Sequence, residues 1–75
     1  MSPSAGDLVM LCDSIHYPAV FLESAERPDP SGTMSHGIPY LVVESLHHRG
    51  QLYVCVIDPL AARLAWTHVD FLEPV

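Results

Sequence analysis

The chain contains no lysine. Its only fixed cations are Arg27, Arg49 and Arg63, set against nine acids, for a formal charge of −6. Affinity for nucleic acid rests largely on cations that displace phosphate counterions, so a direct grip on a polyanion is excluded. An anionic membrane surface is disfavoured for the same reason. Cysteine is scarce, and Cys12 and Cys55 read as small buried hydrophobes on strands. A single disulfide between them is the alternative. Long apolar runs are missing too. Met1-Ser-Pro-Ser-Ala5 has no basic start, and Leu8–Cys12 is too short for a signal-peptide core. Nothing reaches the length of a membrane span. The expectation is a chain made and kept in a reducing cytoplasm.

The usual signatures of chemistry are also missing. No Cys-x-x-Cys and no His-x-x-x-His occurs among His16, His36, His47, His48 and His68. The adjacent pair His47-His48 is a poor chelate, because neighbours on an extended strand point to opposite faces. The histidines therefore read as solvated or locally bonded. No Gly-x-Ser-x-Gly elbow and no phosphate-cradling glycine loop is present. An acidic chain opposes the thiolate that a nucleophilic cysteine requires. No catalytic residue, metal ligand or cofactor is predicted, and the chain is read as a non-enzyme.

What remains is strand-forming sequence. Hydrophobic residues make up 49% of 75 positions, with mean hydropathy +0.26. Most side chains of so small a domain must touch water, so either part of this apolar surface lies against another chain or a tightly filled small core leaves ordinary apolar atoms exposed. Residues 1–5 read as a flexible N-terminal arm. Gly6-Asp7 is a turn signal that launches a strand over 8–12, apolar on both faces, as expected if one face is core and the other covered. A second strand follows over 19–24. Residues 25–37 hold Pro28, Pro30, Gly32 and Gly37 and are read as an irregular loop, without regular pairing. Strands over 38–46 and 51–58 form a hairpin turned at Gly50.

Asp58-Pro-Leu-Ala-Ala-Arg63 admits two readings. Asp before Pro is a good helix start, so a helix over 59–68 is one. The preferred reading is a turn and then a strand over 63–67, because Trp66, Thr67 and Val69 are weak helix formers. His68-Val-Asp-Phe71 is then a 3-10 turn, and Leu72-Glu-Pro74 a last short strand that returns to the first.

Gly6-Asp-Leu-Val9, Tyr53-Val-Cys-Val56 and Trp66-Thr-His-Val-Asp-Phe-Leu-Glu-Pro-Val75 together resemble the small SH3-like β-barrel proteins of tailed bacteriophages. The matching segments are 18 of the 75 residues. The resemblance implies an all-β fold: a small SH3-like barrel of about five strands over 6–75, with a short 3-10 turn before the last strand. It implies a structural or assembly component of a phage particle, such as a decoration, head or tail accessory protein. The alternative is a free soluble module that binds a cellular or viral protein, for instance by adding a strand to a barrel edge. Partners would be capsid or tail proteins, or further copies of the chain, in a virion or the host cytoplasm. There is no Ala-Leu-Tyr-Asp-Tyr-like stretch, so the proline-rich ligands of eukaryotic SH3 domains do not carry over. Family members also have a shorter connection where this chain has 25–37.

Candidate contact residues follow from chemistry. Exposed Tyr and Trp near loop ends are frequent protein-contact anchors. Tyr17, Tyr40 and Trp66 are the aromatic candidates, with Trp66 equally readable as a lid on the core. Pro28, Pro30 and Met34 are the candidates in the loop. Phe21 and Phe71 are assigned to the core. Glu23, Glu26, Asp29 and Glu73 read as a solvated face that keeps an apolar domain soluble.

Overall fold

The computed structural model describes residues 2–75. The chain is all-β: one antiparallel sheet curls into a half-barrel, with one 3-10 turn. The strands are β1 (Leu8–Leu11), β2 (Val20–Leu22), β3 (Pro30–Thr33), β4 (Tyr40–His48), β5 (Gln51–Asp58), β6 (Arg63–His68) and β7 (Leu72–Pro74). Their order across the sheet is β3-β2-β6-β5-β4-β1-β7. There are thus seven strands rather than about five.

The concave side follows from side-chain alternation. Val54 and Val56 of β5 face inward, and so do their cross-strand partners Thr67 and Ala65 on β6. Val9, Leu11, Phe21, Tyr40, Val42 and Leu72 complete the wall. Phe21 meets Tyr40 edge-to-face, ring centroids 5.4 Å apart at 86°. Each such large side chain, fully buried, contributes about 1.5–3 kcal/mol against exposure. Thr67 is also buried in this wall, and its hydroxyl donates to Sδ of Met34 at 3.4 Å.

β4 is bent. Val42 pairs with Val56 but Glu44 pairs with Cys55, so Val43 is an extra residue in a bulge. A bulge kinks its strand and increases the local twist. It lets one strand pair with β1 through Tyr40 and Leu41 and with β5 along most of its length. The β4–β5 turn holds Arg49 and Gly50 at φ 52° and 77°, the positive pair that a two-residue hairpin loop needs.

Residues 59–62 form a turn, not a helix. Oδ1 of Asp58 accepts from the Leu60 N–H at 3.1 Å, and Ala62 sits at φ 53°. That left-handed residue reverses the chain after one turn and sets Arg63 opposite Asp58. The 3-10 turn Val69–Phe71 is capped by His68, whose Nδ1 accepts from the Asp70 N–H at 3.0 Å.

The stretch 25–37, read as an irregular loop, contains β3. A bulge between Phe21 and Leu22 absorbs its irregularity, so that Phe21 pairs with Gly32 and Leu22 with Pro30. Pro30 is tolerated because it is the first residue of an edge strand. Hydrogen bonds from Glu23 N–H to Asp29 C=O and from Ser24 N–H to Arg27 C=O close the hairpin tip. At the N-terminal end Pro3 is buried, and Gly6 N–H donates to Val42 C=O at 2.8 Å. Met1 of the expected arm lies outside the described residues.

Candidate protein-contact surfaces

The convex side of the sheet carries a row of apolar side chains. Leu8 pairs with Leu41, Leu41 with Ile57, and Ile57 with Leu64. Residues directly opposite one another across a ladder share a face, so these four form a line over β1, β4, β5 and β6. The Val75 N–H donates to Leu8 C=O at 3.2 Å, which extends the line by one residue. All five are open to solvent: Leu8 48%, Leu41 38%, Ile57 38%, Leu64 62% and Val75 66%. At the Leu8–Val75 end the row runs into an open depression of about 500 Å³, walled by Pro3, Asp7, Val9 and Pro74 among others.

The next row on this face holds Glu44, Cys55, Trp66 and Leu22. Half-buried Trp66 therefore stands on the convex face beside the apolar line, with Cys55 buried between it and Glu44. Burial pushes the Cys55 thiol up, and the Glu44 carboxylate adds to the shift. Both cysteines are free thiols.

A second surface lies at the other end of the strands. Tyr17, 57% exposed, meets Phe71 edge-on at 6.4 Å, Phe71 meets His68 at 6.2 Å, and His68 meets Tyr53 at 5.1 Å. Nε2 of His68 donates to Oε1 of Gln51, the tautomer required when Nδ1 accepts from Asp70 N–H. Tyr53 and Gln51 also border a cleft of about 320 Å³ with Pro28, Glu26, His48 and Arg49.

The predicted contact residues divide accordingly. Tyr17 and Pro28 belong to the aromatic edge and its cleft, and Trp66 to the convex face, where exposed Pro30, the partner of Leu22, ends the same row. Met34 and Tyr40 are corrected: they are 4% and 1% exposed and belong to the core. The Tyr40 hydroxyl accepts from Ser35 N–H at 3.0 Å, and Met34 N–H donates to Ala19 C=O at 2.9 Å. These bonds pin the long connection to the barrel interior. Phe71, assigned to the core, is half-buried: it packs against the core cluster and also forms part of the aromatic edge. Leu41, Ile57 and Leu64 were not singled out from the sequence. Their sequence signal is the one that 8–12 carries, a strand apolar on both faces.

Strand addition at β7 is disfavoured. In its pairing with β1, Leu72 and Pro74 turn their backbone groups to the free edge. Pro74 has no N–H, and the Leu72 N–H is bonded to Val69 C=O. Neither can donate to an incoming strand. Among the described residues no three His, Cys, Asp or Glu side chains gather as a metal-binding group, and no helix is long and apolar enough to cross a membrane.

Compared with protein-family models, curated proteins and solved structures, the chain matches none.

Proposed function

We propose that the chain is a non-enzymatic SH3-like barrel that works by docking against other protein, as a structural or assembly component of a tailed-phage particle. The observation that carries the docking is the exposed line Val75-Leu8-Leu41-Ile57-Leu64 on the convex face. Isolated surface leucines need no explanation, but five in one line across a sheet form a contiguous patch, and contiguous patches mark interaction sites. Support for the SH3-like reading is the chain order. A hairpin (β2–β3) interrupts the path from β1 to β4, a 3-10 turn separates the last two strands, and β7 returns to pair with β1. The phage assignment rests on the Gly6–Val9, Tyr53–Val56 and Trp66–Val75 resemblance. Mass spectrometry of purified particles tests it: the chain is expected in fixed stoichiometry, and its absence sinks the assembly role.

A second reading is favoured by the aromatic edge Tyr17, Phe71, His68 and Tyr53 with its adjoining cleft. Rigid aromatics beside a concave loop surface suit a free module that holds a protein segment. In that case Tyr17→Ala abolishes co-purification of the partner and Ile57→Thr leaves it intact.

A further inference from the structure

We infer that the occupant of the convex apolar row is a segment of a different protein that carries an apolar stripe flanked by lysine or arginine. This rests on the reading of the chain as a docking barrel. The five side chains expose roughly 400 Å² together, about half of the ~800 Å² per partner that a stable interface takes. A partner that stays bound must therefore also cover the border of the row, and the charges on that border are all of one sign. Glu44 stands one row away on the same face, close enough to act on the Cys55 thiol. Glu73 pairs with Met10 on the far side of Leu8. Asp7 walls the depression at the end of the row.

Among the described residues no arginine balances them. The Arg63 guanidinium is turned away onto Gly32 of β3. Arg49 sits in the β4–β5 turn, beyond Gln51, which is itself six residues along β5 from Ile57, or about 20 Å away. Arg27 lies at the tip of the β2–β3 hairpin. Two copies of the chain placed face to face would set acid against acid around a dry centre, at a formal charge of −6 each. A basic rim on the partner instead makes complementary pairs, and such pairs fix orientation and speed encounter. An acid-flanked competitor is rejected by the same border.

The test is an NMR titration of the ¹⁵N-labelled chain with two synthetic amphipathic peptides. They share one leucine stripe, flanked by lysines in one and by glutamates in the other. The lysine peptide is expected to shift the amides of Leu8, Leu41, Ile57 and Leu64 and to bind about tenfold tighter. The difference should collapse near 1 M salt, where the Debye length is about 3 Å. It should also shrink in the double variant Glu44→Gln/Glu73→Gln. Equal binding of the two peptides overturns the inference while leaving a docking face in place. A concentration-dependent dimer that Ile57→Glu dissolves also overturns it, because the occupant is then a second copy. If neither peptide moves those amides and the chain stays monomeric, the docking reading itself falls.

Discussion

The Arg63 guanidinium occupies the space where a side chain at position 32 would stand. An ideal Cβ on Gly32 falls 2.2 Å from its Nη2. Gly32 is also held at φ +141°, outside the range that L-residues adopt readily. The contact is with the far end of a flexible side chain, whereas the dihedral is set by the bulge that pairs β3 with β2. Gly32→Ala should therefore destabilise the fold by about 1–3 kcal/mol through the backbone. In urea denaturation Arg63→Ala in the same chain should recover little of that loss. Full recovery would place the conflict in the side chain instead.

Arg49 is the opposite case, a side chain where glycine-like freedom is wanted. It takes φ 52° ahead of Gly50 at 77°. Asn-Gly is the favoured pair in such turns. Arg49→Asn should raise stability by roughly 0.5–1 kcal/mol, or about 3–6 °C in Tm. A fall in Tm would mean that Arg49 contributes through the neighbouring cleft.

Tyr40 links pH to stability. Burial raises its pKa above the ordinary tyrosine value of 10.0, against the lowering effect of the Ser35 N–H bond, with Asp58 adding to the rise. The phenol of the unfolded chain then ionises first. Stability from this group is complete below about pH 10 and is lost as pH climbs through the higher folded value. Tyr40→Phe should lose about 1–2 kcal/mol at neutral pH, since Ser35 N–H is left without its acceptor. Its further decline toward about pH 11 should be shallower than that of the native chain. Urea midpoints over that range decide the matter.

The two thiols should separate by reactivity. Cys55 is buried beneath the convex face, and burial and Glu44 both push its thiol up. Cys12 is half-buried, at the end of β1, with Sγ 3.1 Å from Ser14 Oγ. An alkylating reagent should label Cys12 on the native protein and Cys55 only on unfolding, as read by peptide mass. Equal labelling rates would show that β5 opens readily.

Local chemistry was enough to read much of the chain. Alternating Val54 and Val56, the glycine at position 50, the weak helix formers Trp66 and Thr67, and the Val69–Phe71 turn all express preferences of a few neighbouring residues. The return of Leu72–Pro74 to β1 joins residues more than sixty apart, and its expectation rested on the closing pattern of a small barrel instead. The missed features depend on residues far apart in sequence. β3 exists because a bulge opposite Phe21 lets a proline and a glycine pair where neither favours a strand. Met34 is drawn inward by Thr67, and Tyr40 by its packing against Phe21. Composition alone marked this small chain as unusually apolar. Which leucines stay outside was decided by the register of four paired strands, because a side chain's face is set by its cross-strand partner and not by its own hydrophobicity.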